Sequence, residues 1–246
     1  MSLREAIILA GGFGTRLRTV VSDVPKPMAP VSKRPFLEYL LDFWIGEGVE
    51  SFILAVGYRH ESVMDHFGFS YRGIPIDYSI ETDPKGTGGG LFLSIEKIRN
   101  DKPFFIVNGD TFFPLDSSSV LRFHQKNKSK FTIVLKEMPS NERYGTVCLR
   151  KDFRIERFFP PGKGEAPYLI NGGVYLTNRA FIKEQKEKWE RASQISLENF
   201  LFPKWIDERE LIFGVRDSGE FIDIGIPEDY IRCQEMFDVL KVKSNN

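Results

Sequence analysis

Short apolar runs alternate with segments of helical periodicity along the first half of the chain. The run 6–10 stops at glycine, as a strand buried on both faces of a parallel sheet does. Residues 36–45 repeat apolar positions at helical spacing and end near Gly46 and Gly48, which suit a helix stop. The run 52–56 then supplies a second buried strand.

The same alternation continues along the chain to about residue 116. Helices are predicted over 62–67 and 89–98, and strands over 74–80 and 104–107. Alternating strands and helices indicate a mostly parallel sheet with helices on both faces.

The pattern changes in the second half. A predicted helix at 117–127 is followed by extended segments near 131–136, 146–149 and 169–177, and a last helix is predicted over 227–240. This half is therefore expected to be rich in strands.

The composition fits one compact domain. With 246 residues, of which 41% are hydrophobic, the chain can bury one sizeable core. We therefore expect a single α/β domain over 1–246, with an alternating half at about 1–116 and a strand-rich lobe at about 117–246. The expected architecture is Rossmann-like, with three layers and a mostly parallel, mixed central sheet.

Charge and cysteine content exclude several functional classes. Thirty-four basic side chains balance thirty-four acidic ones, which argues against a nucleic-acid partner. Cys148 and Cys233 show no metal-ligand spacing and favour a reducing, cytoplasmic location. The apolar run 6–10 is too short for a signal peptide or a membrane span, so no membrane partner is expected. A homo-oligomer is not excluded.

The first strand leads directly into a glycine-rich loop with one hydroxyl and one guanidinium. Gly11, Gly12 and Gly14 can bring backbone N–H groups against phosphate oxygens, and Arg16 adds a charged fork beside Thr15. The letters fit neither a P-loop, which needs Lys-Ser or Lys-Thr, nor a dinucleotide fingerprint. The alternative is a glycine-rich turn with a solvated arginine.

A second candidate cation follows this loop. Lys26 lies between Pro25 and Pro27, which fix the backbone and reduce the entropy lost when the ammonium engages a phosphate. The alternative is an ordinary proline-rich surface loop.

The two motifs together carry a family resemblance. G-G-x-G-T-R-L at 11–17 followed by P-K-P at 25–27 resembles the signature of the sugar-1-phosphate nucleotidyltransferases, and the similarity runs from Ala6 to about Tyr230. The family includes glucose-1-phosphate thymidylyltransferases and mannose- and heptose-1-phosphate guanylyltransferases. The short length and the run of matches favour the heptose branch.

The resemblance implies a reaction and a fold. A nucleoside triphosphate would react with a sugar 1-phosphate to give a nucleotide sugar and pyrophosphate, on a three-layer nucleotidyltransferase fold. The half at 1–116 would bind the nucleotide, and the half at 117–246 would form the sugar-binding lobe.

The resemblance also implies the residues of a site. Catalytic roles fall on Arg16, Lys26, Asp110 and Asp223, and the two aspartates would hold Mg²⁺. The nucleotide-binding residues would be Leu9, Ala10, Gly11, Gly12, Gly14, Thr15, Glu81, Gly86, Thr87 and Gly88. The sugar-phosphate-binding residues would be Gly109, Tyr144, Gly145, Lys163, Asn171 and Gly172.

The positions of the two aspartates support the metal assignment. Asp110 follows the strand 104–107, so its carboxylate should lie at the carboxyl edge of the sheet, where ligands bind in open α/β folds. Asp223 lies between apolar residues just before the last helix. Mg²⁺ prefers such oxygen ligands. The alternatives are a turn-forming Asp110 and an Asp223 that caps the helix.

The segment that begins at Glu81 resembles the family's base-binding loop. Gly86–Gly89 can lie close to a purine, and the Glu81 carboxylate can accept hydrogen bonds from the N1–H and N2–H₂ groups of guanine. We therefore expect GTP. Thymine also has an imide N–H, so dTTP stays open, and a glycine-rich helix cap is the structural alternative.

The sugar side is defined less sharply. The family's F-x-E-K segment, whose lysine binds the sugar phosphate, corresponds to residues 159–164 here, and the glutamate of the motif is missing. Lys163 is either that lysine or a solvated loop residue. The small Gly172 and Gly173 beside Asn171 predict room for the extra carbon of a heptose.

Two further functions stay open from the sequence. One keeps the reaction and uses glucose or mannose 1-phosphate with dTTP, CTP or GTP. The other is a non-catalytic regulator that binds nucleotide sugars, because a fold alone does not enforce catalysis. The complete set Arg16, Lys26, Asp110 and Asp223 argues against a mere binder.

Overall fold

The computed structural model of the protein describes residues 5–12, 21 and 23–244, with side chains as far as Phe237. Within these residues no helix is both long enough and apolar enough to cross a bilayer.

The described chain folds into strands and helices that alternate over its first half. The strands are β1 (Glu5–Leu9), β2 (Pro30–Val31), β3 (Arg34–Pro35), β4 (Ser51–Val56), β5 (Ser70–Tyr71), β6 (Ile74–Ile80), β7 (Phe104–Asn108), β8 (Thr111–Phe112), β9 (Phe131–Met138), β10 (Thr146–Leu149), β11 (Ile155–Phe159), β12 (Tyr168–Thr177), β13 (Ile212–Asp217) and β14 (Ile222–Asp223). The α-helices are α1 (Phe36–Gly46), α2 (His60–Phe67), α3 (Thr87–Ser94), α4 (Ser117–Lys126), α5 (Arg179–Trp189), α6 (Phe202–Asp207) and α7 (Pro227–Ser244). Short 3₁₀ turns occupy Lys26–Met28 and Ile95–Lys97, and a π-helical turn occupies Leu197–Leu201.

One large mixed sheet runs through the molecule in the order β11-β10-β12-β7-β1-β4-β6-β5, and β9 pairs with both β12 and β13. Strands β7, β1, β4 and β6 are mutually parallel. Strand β12 is antiparallel to β7, β9 and β10. The expected Rossmann-like α/β fold with a mixed central sheet is confirmed. The parallel strands come from the first half, and most antiparallel pairs come from the second.

Helices cover both faces of this sheet. Along β1, Ala6 and Ile8 pack into one core cluster and Ile7 packs into the other, because alternate side chains of a strand point to opposite faces. The first cluster contains side chains of α1, α2, α4 and α7, and the second contains side chains of α3, α5 and α6. Burial on both faces explains why the run 6–10 is almost purely apolar.

The second half of the chain has more helix than its sequence pattern predicted. Helices α5 and α6 and the π-helical turn lie between β12 and β13. They bury Phe181, Phe202 and Trp205 against the sheet. The predicted helix over 89–98 is also shorter, because α3 ends at Ser94 and continues as a 3₁₀ turn.

Candidate functional site

A cavity lies where the order of the parallel strands reverses. After β6 the chain crosses to the other side of β1 and forms β7, so the carboxyl ends of β1 and β7 border a crevice. A cavity of about 580 Å³ fills this crevice. Its walls are formed by Leu9, Ala10, Gly11, Gly12, Lys26, Pro27, Ala55, Glu81, Pro84, Gly86, Thr87, Gly90, Asn108, Asp110, Gln194, Asp223 and Gly225.

A small second sheet brings the two predicted metal aspartates together. Strand β8 pairs antiparallel with β14, with Thr111 opposite Asp223. The Ile224 N–H donates to the Asp110 carbonyl at 3.0 Å, which fixes the two strand ends against each other. This short ladder explains how residues far apart in the sequence meet at one end of the cavity.

Lys26 lies between these two carboxylates. Its Nζ is 2.6 Å from Asp110 Oδ2 and 3.3 Å from Asp223 Oδ1. Asp223 Oδ1 also accepts a hydrogen bond from the Gly225 N–H at 2.7 Å. The ammonium thus marks a position from which a single cation reaches both acids.

The pKa shifts in this triad follow from one cation serving two acids. Burial alone would lower the pKa of Lys26, but the charges of Asp110 and Asp223 outweigh it and raise this pKa above its ordinary value. Burial and the negative charge of Asp110 raise the pKa of Asp223, and the charge of Lys26 only partly opposes them. The carboxylate pair therefore has excess negative charge that a second cation would stabilise.

The loop that carries Lys26, here called the lysine loop, is held in place by the last helix, α7. The hairpin β2–β3 follows Lys26 directly, and its Pro30 carbonyl accepts hydrogen bonds from Tyr230 and from Gln234 Nε2, the latter at 2.8 Å. Gln234 Oε1 also accepts from the Ser32 N–H at 2.8 Å. Helix α7 therefore fixes the loop that carries Lys26 relative to Asp223, which precedes that helix.

Glu81 lies in the wall of the cavity against glycine backbone. A methyl group built on Gly11 would lie 2.8 Å from Glu81 Oε2, and one built on Gly90 would lie 3.3 Å from it. The carboxylate of Glu81 therefore occupies space that exists only because residues 11 and 90 are glycines. Burial raises the pKa of Glu81, opposed by a hydrogen bond from the Lys85 backbone.

The loop after Glu81 is tied to a segment from the second half. The Ile195 N–H donates to the Lys85 carbonyl at 2.6 Å, and the Ile195 carbonyl accepts from the Gly88 N–H at 2.7 Å. Gly86, in a left-handed conformation with φ +94°, and Thr87 line the cavity. Gly88 does not line it, because its N–H and its Cβ position face Ile195.

A chain of hydrogen bonds connects this loop with Asn171. Thr87 Oγ1 donates to Glu198 Oε2 at 3.1 Å, and the Tyr175 hydroxyl donates to Glu198 Oε1 at 3.3 Å. Asn171 Nδ2 donates to the same hydroxyl at 2.8 Å. The predicted sugar ligand Asn171 is therefore also part of an internal polar network.

The glycines on the sugar side have packing roles. A methyl group on Gly172 would lie 2.6 Å from the Phe113 ring, and one on Gly173 would lie 3.0 Å from Asn108 Nδ2. Phe113 and Asn108 occupy the space beside the Cβ positions of these glycines, so the absence of side chains serves packing, and room for a heptose carbon stays a prediction. They lie where β12 loses its register with β9.

The other sugar-side residues lie outside the wall of the cavity. Gly109 permits β1 and β7 to approach, since its N–H donates to the Leu9 carbonyl at 2.9 Å. Tyr144 packs edge-on against Phe221, and Gly145 lies against the Phe159 carbonyl. The Lys163 side chain is exposed on a loop.

Three of the predicted residues, Gly14, Thr15 and Arg16, lie outside the described residues. In the described part of the chain no group of three or more His, Cys, Asp and Glu side chains could hold a metal. Beside Lys26, the described residues bring together two carboxylates, those of Asp110 and Asp223.

Sequence analysis missed several residues of the cavity wall. Asn108 is the last residue of β7 and precedes Asp110 at the same sheet edge, so its position was a usable signal. Gln194, also in the wall, gave no such signal, because it follows a helix, α5, that the sequence pattern did not predict. The same holds for Glu198, which bonds Thr87 but does not line the cavity.

Relatives with assigned activities align along nearly the whole chain. The D-glycero-α-D-manno-heptose 1-phosphate guanylyltransferase of Aneurinibacillus thermoaerophilus is 41% identical over 94% of this chain and 97% of its own. The enzyme of the same name from Campylobacter jejuni is 38% identical over 92% and 96%. The mannose-1-phosphate guanylyltransferase of Mycobacterium tuberculosis is 32% identical over 93% of this chain and 63% of its own.

Solved structures agree with the sequence relatives. The crystal structure of HddC from Yersinia pseudotuberculosis complexed with GMP-PN superposes with a TM-score of 0.82, at 31% identity, over 96% of this chain and 100% of that one. A family model described as nucleotidyl transferase matches residues 5–238, which include the crevice at β1 and β7, Lys26 and both aspartates. The chain therefore belongs to the nucleotidyl transferase family.

Proposed function

We propose that the chain transfers the guanylyl group of GTP to D-glycero-α-D-manno-heptose 1-phosphate, giving a GDP-heptose and pyrophosphate. The observation that carries the reaction class is the convergence of Lys26, Asp110 and Asp223 at one end of a cavity of about 580 Å³. The names of the relatives at 41% and 38% identity support the base and the sugar.

Glu81 supports a guanine base. Its carboxylate lies against Gly11 and Gly90 in the wall of the cavity that Lys26, Asp110 and Asp223 also line. Two adjacent N–H donors of guanine match the two oxygens of one carboxylate. Leu9 to Gly12, Gly86 and Thr87 would complete the nucleotide pocket. Gly88 would act indirectly by shaping the loop, since its N–H is bonded to Ile195.

The carboxylate pair fits Mg²⁺. One ammonium already contacts both acids, and burial with like charge raises the pKa of Asp223, so a divalent cation would relieve the repulsion. Mg²⁺ is commonly held by one or two carboxylates together with substrate phosphates and water. Bound there by Asp110 and Asp223, it would neutralise negative charge on the phosphate oxygens.

The residues of the chain then act by positioning and by charge. The sugar 1-phosphate is an anion at neutral pH and needs no general base, and one of its oxygens would attack the α-phosphorus in line. Lys26, together with Arg16, would stabilise the crowded charge and the leaving pyrophosphate. Asp110 and Asp223 would fix the position of Lys26 until substrate binds, and no covalent intermediate on the chain is expected.

We propose that residues outside the cavity wall bind the sugar phosphate. Asn171, Tyr144, Gly145, Gly109, Gly172 and Lys163 would surround or support the sugar phosphate, of which Lys163 is the most exposed. A second candidate substrate is mannose 1-phosphate, which the name of the Mycobacterium tuberculosis relative favours.

The test is pyrophosphate release from the purified chain with Mg²⁺ across a matrix of substrates. GTP, dTTP and CTP would each be combined with heptose, mannose and glucose 1-phosphate. We expect the highest kcat/KM for GTP with the heptose. Faster use of dTTP or CTP would reject the base assignment, and a preference for mannose 1-phosphate would reject only the sugar. Binding of GDP-heptose without any turnover would favour the regulator.

A further inference from the structure

A second cavity lies behind the loop that carries Glu81. Its volume is about 600 Å³, and it opens between this loop, the end of α3 and the end of α5. Volumes of this size are typical of small-molecule sites. The proposed reaction does not use this cavity, because the triad of Lys26, Asp110 and Asp223 faces the first one.

The floor of the second cavity is apolar and exposed. Ile80 and Leu93 are 37% and 44% exposed, and both line it beside the buried Phe92. Five large hydrophobic side chains are exposed in the described part of the chain, and two of them meet at this place. Converging apolar side chains in a concave surface indicate a bound partner more than scattered ones do.

Charged groups of both signs surround this floor. Lys85 and Arg191 line the cavity, and among the described residues neither side chain has a hydrogen-bond or ion-pair partner. Lys186, also in the wall, is paired with Glu96 at 2.8 Å. The acids of the wall are Glu81, Asp83 and Glu190.

The apolar side chains and the charges of both signs in the second cavity together indicate which kind of ligand it binds. A simple anion would meet the three acids, and a simple cation would meet the lysines and the arginine. A nucleotide suits both, because its base offers apolar faces and N–H donors while its phosphates suit Lys and Arg. We infer that the second cavity binds a nucleotide, with the base on Ile80 and Leu93 and the phosphates toward Lys85 and Arg191.

Glu81 connects the two cavities. It lines both, with Oε2 against Gly11 and Gly90, and with Oε1 3.6 Å from a methyl group built on Gly89, which lines the second cavity. A nucleotide behind the loop would therefore contact the same carboxylate and weaken the hold of that carboxylate on a base in the first cavity, while both cavities are still filled at saturation. This coupling rests on the proposed role of Glu81 in binding the base, whereas the second binding site itself does not.

Binding stoichiometry tests the inference. Labelled GDP would be dialysed to equilibrium against the full chain in EDTA. We expect two equivalents at saturation for the wild type and one for Leu93→Glu and for Arg191→Glu. Both residues are exposed and lie outside the first cavity, so turnover and the tighter equivalent should change by less than about twofold, as for other surface charge changes. Lys183→Glu, on the same helix as Lys186 but outside the cavity wall, should keep two equivalents.

Other stoichiometries would overturn the second site. A wild type that binds one equivalent or none would do so, and so would two equivalents retained in both variants. Turnover measured on the same preparations separates the proposals. Turnover with one bound GDP rejects the second site alone, whereas two bound GDP without turnover on any sugar phosphate rejects the proposed reaction and keeps the second site.

Discussion

The Lys26 ammonium lies 2.6 Å from Asp110 although the two residues are 84 positions apart. The same ammonium reaches Asp223 at 3.3 Å, which joins three separate segments of the chain. Because a single cation cannot neutralise both acids, this arrangement leaves a net negative charge beside the cavity. It connects the lysine with the proposed binding of metal as well as with the proposed binding of phosphate.

Removal of this ammonium should therefore have opposite effects on metal binding and on turnover. For Lys26→Ala we expect kcat/KM to fall by about 10²-fold or more, on the scale of other electrostatic deletions. Binding of Mn²⁺ alone should tighten by about 30-fold, because a divalent and a monovalent cation about 4 Å apart repel by about 2 kcal/mol even in water. Titration with Mn²⁺ followed by electron paramagnetic resonance measures this. The matched control is Lys33→Ala, an exposed residue of the next hairpin. Weaker binding of Mn²⁺ to Lys26→Ala would contradict the prediction.

Removal of one carboxylate should abolish the metal-dependent rate and leave the fold intact. Asp223→Asn retains the size of the side chain and an oxygen that can accept from the Gly225 N–H. We expect a loss of about 10²-fold or more in kcat/KM at limiting Mg²⁺. Asp207→Asn, an exposed residue of α6, is the control. Thermal melting checks the fold, and a wild-type rate from Asp223→Asn would refute the metal assignment.

Substitution of Glu81 should reduce the preference for GTP more than the use of the sugar. Glu81→Ala would leave the polar edge of the base unpaired, a penalty of about 1–3 kcal/mol, so kcat/KM for GTP should fall about tenfold or more. The KM for the sugar phosphate should stay nearly unchanged. Burial raises the pKa of this carboxyl, so its acceptor form and the affinity for GTP should be lost early as the pH falls. Competition assays between GTP and dTTP measure the preference, with Glu61→Gln as the exposed control.

A buried histidine should make the fold sensitive to mild acid. His124 is 4% exposed and bonds Thr132 Oγ1 at 2.9 Å, and burial lowers its pKa to about 4. The unfolded chain binds the proton at about pH 6.5, so this stability is complete above that pH and is lost between about 6.5 and 4. At pH 5 the loss is about 2 kcal/mol.

Urea unfolding as a function of pH tests this expectation. His124→Gln should flatten the dependence between pH 6.5 and about 5, whereas His60→Gln, with a half-exposed ring, should keep it. An unchanged slope for His124→Gln would contradict the assignment of the acid sensitivity to this residue.

The parts of the molecule that the sequence predicted well are those fixed by local pattern. Strand β1 was predicted from a continuous apolar run, which indicates burial on both faces of a sheet. Helix α1 was predicted from apolar residues at helical spacing, which indicate burial of one face of a helix. Asp110 could be placed at the sheet edge because it directly follows an apolar strand. Its approach to Asp223 could not be predicted from local pattern, because it depends on the pairing of β8 with β14.

The positions whose surroundings the sequence did not reveal are those whose neighbours come from distant parts of the chain. The sequence shows Gly172 as small, and only the fold shows that the Phe113 ring takes the adjacent space. The space beside Gly88 is likewise taken by Ile195, which belongs to a segment that follows an unpredicted helix. Glycine spacing alone therefore does not distinguish room for a ligand from room for a neighbouring side chain.

The attachment of the β2–β3 hairpin to helix α7 has a consequence for synthesis on the ribosome. Gln234 bonds Ser32 and Pro30, which lie 202 and 204 residues earlier in the chain. The lysine loop emerges early, but its final anchor and Asp223 are translated much later. A nascent chain can thus assemble the β1–β4–β7 core while its proposed catalytic centre is still incomplete, so competence for chemistry would arise only after residue 234 has been translated.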